Sequence, residues 1–219
     1  SDDIVARLGG DEFIVVQIGV DAKERASDYA NRIGGVLGKP VTFNEQIIQP
    51  TVSIGVAVAP ADGKTPEQLI KSADLALYKA KADGRNCVRF FLPEMDSALQ
   101  ARISLEKTIR DAVLNDRFVL HYQPIYEMSG KLLIGYEALV RLPREDGTLI
   151  APLDFIPLAE ELRLIGKLGA WVLREACRAA ATWPDHVTVA VNLSPAQFLE
   201  GSVSEVVAFA LKDAGIDPS

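Results

Sequence analysis

Apolar residues recur along this chain with two periods. Short apolar runs mark strands at Ile4 to Leu8, Phe13 to Ile18, Val41 to Phe43, Ile47 to Ala59, Phe118 to Ile125, Leu132 to Leu142 and Val187 to Val191. Apolar positions three and four apart mark helices between them. One runs from Asp21 to Leu37, with Ala22, Ala26, Tyr29, Ala30, Ile33 and Val36 on one face. Another starts at the capping box Thr65-Pro66-Glu67-Gln68, buries Leu69, Ala73, Ala76, Leu77 and Ala80, and ends at about Asp83 with Gly84 as its cap. Further helices are predicted over Pro93 to Asn115, Pro152 to Leu164, Gly166 to Thr182 and Ser202 to Ala214. Asn44-Glu45, Met128 to Lys131 and Asp146-Gly147 read as turns. Past residue 117, strands alternate with helices, the pattern of βα units and a parallel sheet, so the predicted class is α/β. Leu132 to Tyr136 and Val187 to Val191 are apolar enough to read as buried strands.

Composition narrows the class of molecule without naming a chemistry. The 219 residues suffice for one large or two modest domains, and 48% hydrophobic with 24% charged residues is ordinary for a soluble globular protein. No apolar run approaches the length of a membrane span, and Ser1-Asp2-Asp3 does not open a signal peptide. The net charge of −7 divides into −2 over residues 1–95 and −5 over 96–219. Neither part is a basic surface for a nucleic-acid polymer, so a phosphate ligand needs a metal or a few placed cations. Cys87 and Cys177 read as reduced core thiols of a cytoplasmic protein, and His121 and His186 lack metal-ligand spacing.

Two places concentrate candidate chemistry. Gly9-Gly10-Asp11-Glu12 separates two strand-like runs, which reads at its plainest as a hairpin with two solvent-facing acids. Its functional reading is a backbone a ligand can approach closely, beside carboxylates that hold Mg²⁺ on phosphates. Lys81 and Arg85, at the end of the Thr65 helix, serve either as surface cations complementing its dipole or as a phosphate clamp. The second place is Glu137, expected where a buried strand leaves the core. A carboxylate there needs a partner, either Arg141 or a ligand. Asn192 follows the last apolar strand and could merely cap the Ser194-Pro195 helix start, and Gln123 could be a solvent-facing strand residue.

The motifs point further when taken in order. Arg7-Leu8-Gly9-Gly10-Asp11-Glu12-Phe13, then Thr51 to Ala57, then Ala73-Asp74 through Leu77-Tyr78-Lys79-Ala80-Lys81 to Gly84-Arg85-Asn86, resemble the GGDEF family of diguanylate cyclases. The resemblance implies Asp11 as a metal ligand near the attacking 3′-hydroxyl with Glu12 beside it, and Gly9 and Gly10 against the substrate. It also implies Lys81 and Arg85 on the phosphates of GTP. Asp3 matches the aspartate of that family's product-inhibition motif, whose arginine would precede Ser1. The family's first metal aspartate and guanine-recognising helix would also lie before Ser1.

Gln123-Pro124-Ile125, Glu137-Ala138-Leu139-Val140-Arg141, Phe155 to Glu160 and Asn192-Leu193-Ser194-Pro195 resemble, in order, the N-terminal half of the EAL family of cyclic di-GMP phosphodiesterases. That resemblance implies the first half of a (β/α)₈-type barrel, with ligands at strand C-terminal ends. It implies Glu137 and Asn192 as ligands of Mg²⁺ or Mn²⁺, Glu137 as catalytic, and Gln123 and Arg141 on the dinucleotide. Ala159-Glu160-Glu161 runs into Leu162-Arg163-Leu164-Ile165 where the family carries Thr-Gly, a departure expected to shift a helix end rather than the chemistry.

The expected organisation is the C-terminal part of a GGDEF domain over 1–95, a connecting helix over 96–116 and the N-terminal part of an EAL domain over 117–219. The expected function is turnover of cyclic di-GMP by a longer homodimeric parent, hydrolytic in the EAL part, with the GGDEF part a GTP-binding regulator or a cyclase. The alternative is a non-catalytic cyclic di-GMP receptor. The chain standing alone is expected to be inactive in both directions, and the expected location is cytoplasmic, with anchoring of the parent to the inner membrane through an N-terminal region left open.

Overall fold

The computed structural model describes residues 3–19 and 23–216, and the fold divides into two compact units, Ser1–Gln100 and Ala101–Ser219. Asp21 and Ala22, assigned above to the first helix, lie outside the described residues.

In the first unit, β1 (Ile4–Gly9) pairs antiparallel with β2 (Glu12–Val16) around a tip at Gly10-Asp11. The helix α1 (Lys23–Leu37) buries Ala30, while Val36, predicted on its apolar face, is exposed. A second hairpin joins β3 (Val41–Phe43) to β4 (Gln46–Ile48), with Asn44 and Glu45 both left-handed at φ 48° and 64°. That turn matches the right-handed twist of its strands. The expected long second strand resolves into β4 and a separate β5 (Ile54–Val56), because β5 pairs in parallel with β6 (Val88–Phe90) instead of extending the hairpin. Between them runs α2 (Pro66–Ala82). Its Thr65 cap accepts from the Gln68 amide, and the Gln68 side chain returns to the Lys64 amide. The helix buries Ser72, Leu75, Ala76 and Ala80, and its end is set by Asp83, with Gly84 following at φ 103°.

The unit boundary falls within α3 (Glu94–Leu114). In the second unit, β7 (Val119–Tyr126) pairs antiparallel with β8 (Leu133–Pro143). The strand β8 then pairs in parallel with β10 (Thr188–Val191), and a short β9 (Leu149–Ile150) pairs antiparallel with its end. The sheet is therefore mixed, not parallel throughout as the strand–helix alternation suggests. The turn Met128 to Lys131 joins β7 directly to β8, and a connection that short permits only an antiparallel partner.

The apolar core of this unit lies on one side of the sheet. There α3, α4 (Pro152–Glu161) and α5 (Ile165–Ala180) bring Ile109, Phe155, Leu158 and Leu168 against Leu142, Val140 and Leu120. Phe118 packs on Phe155 and Trp171 at ring separations of 6.2 and 5.5 Å. A smaller cluster joins Leu173 and Cys177 of α5 to Ala210 of α6 (Val203–Ala214), with Leu193 and Val206 against them. The strands alternate accordingly. Ala138 and Leu142 are buried, while Glu137, Leu139 and Arg141 between and beside them are only half-buried, and in β10 Thr188 and Ala190 are exposed. These strands are thus not buried throughout, contrary to the expectation from their apolar runs. Their second face is open, and the candidate residues stand on it.

The departure in the run from Leu162 to Ile165 has a definite local consequence. Helix α4 ends at Glu161, and the Leu164 amide donates back to the Ala159 carbonyl, the six-residue closure that wants glycine at the left-handed position. Arg163 occupies it at φ 55°. Arg163→Gly is expected to stabilise the unit by about 1 kcal/mol, read as a higher unfolding midpoint, since glycine populates that backbone region without strain.

Candidate functional site

The second unit gathers its candidates on the open sheet face. Glu137 is the register partner of Gln123 on β7 and of Ala190 on β10, and β8 carries Arg141 on the same face four residues later. Asn192 follows Ala190 by two and comes immediately after β10, so it projects toward that face as well. Its Nδ2 donates to Glu137 Oε1 at 2.6 Å. Four predicted residues (Gln123, Glu137, Arg141 and Asn192) thus share one face, and two of them are in contact.

Two details differ from expectation. Glu137 lies in mid-strand, because β8 continues to Pro143 as the partner of β7 and β9. What ends there is the parallel ladder, whose last pair is Val191 with Ala138. The carboxylate therefore marks the end of the β10–β8 pairing, where Asn192 leaves the strand to meet it. Among the described residues it is Asn192, not Arg141, that pairs with Glu137. The Arg141 Nη1 donates instead to the Val140 carbonyl at 2.9 Å, which directs the guanidinium along the strand.

A carboxylate and a carboxamide in contact offer hard oxygen donors of the kind Mg²⁺ and Mn²⁺ favour. Among the described residues no group of three or more His, Cys, Asp or Glu converges as a metal centre. Glu137 and Asn192 therefore fit as two donors of a larger set.

The loop carrying Asn192 is tied down by residues that sequence reasoning assigned no role. Ser194 Oγ donates to Glu160 of α4 and accepts from the Ala196 amide at 3.1 Å, and the Ser194 amide donates to Gln197 Oε1 at 2.9 Å. Glu160 was legible as part of a motif, and Gln197 only as a polar residue among apolar ones. His121, two residues before Gln123 and opposite Leu139, shares the open face.

The first unit places its candidates at the β1–β2 tip and the end of α2. Gly10 adopts φ 54°, which explains that glycine. Gly9 has no positive φ, and a Cβ there would meet nothing within 4 Å. The β1–β2 register shifts between Arg7 and Gly9, an irregularity that glycine accommodates readily. Asp11 and Glu12 are exposed, and Lys81 Nζ reaches Glu12 Oε1 at 3.4 Å. With both partners about half exposed, this pair contributes little to stability, so it is better read as placement than as a strut. Arg85 and Asn86 follow Gly84 in left-handed backbone at φ 63° and 49°. They are held there by the Arg85 amide donating to the Ala80 carbonyl and the Asn86 amide to Ser53 Oγ. Backbone strain over-determined in this way is a feature of binding loops. Asp3 lies apart from that tip, at the far end of β1, where its Oδ2 accepts from the Tyr29 hydroxyl at 3.4 Å.

The described residues thus carry two clusters of candidate side chains, one at Glu137 and Asn192 on the half-open sheet and one at the hairpin tip where Lys81 reaches Glu12. Residues 106–219 match the EAL domain and residues 1–87 the diguanylate cyclase GGDEF domain, and the chain belongs to the EAL family, with the GGDEF part in front. A signaling protein of Caulobacter vibrioides is 44% identical over 98% of this chain and 27% of its own length. The bifunctional diguanylate cyclase/cyclic di-GMP phosphodiesterase MucR of Pseudomonas aeruginosa is 37% identical over 100% of this chain and 32% of its length. Among solved structures, the PaMucR phosphodiesterase in complex with c-di-GMP superposes with a TM-score of 0.50 at 39% identity, covering 52% of this chain and 48% of that one. The chain spans about a quarter to a third of the length of these curated relatives. No helix among the described residues is long and apolar enough to cross a membrane.

Proposed function

We propose that the full-length protein containing this chain turns over cyclic di-GMP and that its EAL part hydrolyses it to the linear dinucleotide. The observation that carries this reading is the convergence of Asn192 on Glu137 at the end of the parallel ladder, on the face shared with Gln123 and Arg141. EAL domains depend on a divalent metal, and Mg²⁺ or Mn²⁺ suits the oxygen donors present. When bound, such ions activate water and neutralise charge on the scissile phosphodiester. Glu137 and Asn192 hold this side of the metal site. Gln123 and Arg141 orient the dinucleotide, the arginine offering N–H donors to a phosphate.

In the GGDEF part, Asp11 serves as a metal ligand with Glu12 beside it, Gly9 and Gly10 admit the nucleotide, and Lys81 and Arg85 bind phosphates of GTP. That part acts as GTP-responsive regulator or as cyclase. The contact between Lys81 and Glu12 supports a shared site at the hairpin tip. Domain limits of 1–95, 96–116 and 117–219, with α3 as the connector, and a homodimeric parent belong to the same proposal.

The test uses the full-length protein with labelled cyclic di-GMP and Mg²⁺ or Mn²⁺, with and without GTP. Formation of the linear dinucleotide is expected. Tight binding without any product would overturn the hydrolytic reading and make the protein a receptor. In the same protein, Lys81→Ala is expected to weaken GTP binding about 10-fold, the size of one charge-assisted contact, as read by calorimetry.

A further inference from the structure

The segment Asn192 to Gln197 is fastened on three sides. Ser194 donates its hydroxyl to Glu160 of α4 and its amide to Gln197 Oε1, and the Gln197 amide returns to the Ser194 carbonyl at 3.1 Å. Gln197 is one of two buried polar side chains among the described residues, at 8% exposure. It sits where α5 leaves room: a Cβ on Gly169 would lie 2.0 Å from Gln197 Nε2 and 2.6 Å from its Cδ. On the other side, Leu193 packs into the cluster of Leu173, Cys177 and Ala210. A buried amide is costly unless satisfied, so this side chain is kept there for what its oxygen holds, the Ser194 amide.

We infer that Ser194 and Gln197, seated on Gly169 and anchored to Glu160, form a clasp that sets the position of Asn192 against Glu137 and thereby tunes divalent-metal affinity. The inference rests on the reading that Glu137 and Asn192 are metal donors. Ser194 and Gln197 are positioning residues, two and five residues from the donor they place. An asparagine on an unrestrained loop would pay its ordering entropy on each binding event, whereas the clasp removes that cost beforehand.

The test measures Mn²⁺ binding by calorimetry and thermal unfolding, on the full-length protein. Ser194→Ala is expected to weaken Mn²⁺ binding about 10- to 100-fold, the range for residues that orient metal ligands, with the unfolding midpoint nearly unchanged. Ser194→Thr, which keeps the hydroxyl, is expected to restore binding. In an Asn192→Ala background, Ser194→Ala is expected to add no further loss, since the clasp then has nothing to place. Gly169→Ala, which evicts Gln197, is expected to repeat the Ser194→Ala loss. Wild-type affinity in Ser194→Ala and Gly169→Ala, with binding lost in Asn192→Ala, overturns the clasp and leaves the site reading standing. Wild-type affinity in Asn192→Ala overturns the site reading and the clasp with it. Loss of binding matched by loss of folding in both Ser194→Ala and Ser194→Thr also overturns the clasp, reducing these contacts to plain stability.

Discussion

Glu137→Gln in the full-length protein is expected to lower kcat for cyclic di-GMP hydrolysis by about 10³-fold while leaving the fold intact. The two halves of that expectation have separate causes. Glutamine keeps an oxygen at the position where Glu137 Oε1 accepts from Asn192 Nδ2, so the 2.6 Å contact and the β8–β10 ladder beside it survive. The lost negative charge, however, is the one this side of the site offers to a divalent ion. A metal supplies several kcal/mol of transition-state stabilisation, and about 4 kcal/mol corresponds to 10³ in rate at 1.36 kcal/mol per tenfold. Asn192→Ala is expected to cost less, because it removes a neutral donor and leaves the carboxylate. The measurement is steady-state hydrolysis at saturating Mn²⁺ beside circular dichroism of each variant. A folded glutamine variant with the wild-type rate would remove Glu137 from the mechanism.

Much of the fold could be read from residue order, since local causes dominate it. Thr65 to Gln68 capped a helix as its sequence dictates, Asn44-Glu45 turned a hairpin, and Gly10 took the left-handed backbone its tip needs. What failed was burial. The runs Leu132 to Tyr136 and Val187 to Val191 are apolar on both alternating sets of positions, yet helices cover only one side of that sheet among the described residues. An apolar run records a tolerance for burial on both faces, whereas the cover itself depends on elements distant in sequence. The site divided along the same line. Glu137, Arg141, Gln123 and Asn192 were visible as motifs because each sits in a short run of defined order. Their common face needed the β7–β8 and β8–β10 registers, which only tertiary pairing sets. The Ser194–Glu160 contact spans 34 residues and the Gly169–Gln197 seat 28, so no window of local sequence contained either. The one local hint was Gly169 itself, a glycine on an otherwise apolar helix face. Arg163 shows the converse case. A local departure in the run from Leu162 to Ile165 pointed to a change at a helix end, and the left-handed backbone stands there, at Arg163.

Gly55→Ala is expected to destabilise the first unit by about 3 kcal/mol or more, the upper range for overpacking and larger than for a clash a side chain could relieve. The reason lies in what the added methyl would strike. A Cβ on Gly55 would lie 2.1 Å from the Ala73 carbonyl oxygen, 2.3 Å from the Leu77 amide nitrogen and 2.8 Å from the Leu77 Cα. All three are backbone atoms of α2, so no rotamer change clears them, and β5 and α2 must separate. That separation works against burial of Ala76 and Ala80, both fully enclosed on the face of α2. It also moves the end of α2, where Lys81 reaches Glu12 and where the strained Arg85-Asn86 turn leans on Ser53 beside β5. One methyl group at a position with no ligand role should therefore weaken both folding and GTP binding. Hydrogen exchange on the full-length protein separates these effects from the second unit: protection is expected to fall across β5 and α2 and to stay unchanged across β8 and α5. Wild-type protection in α2 together with wild-type GTP affinity would mean that β5 and α2 are not packed as closely as Gly55 permits.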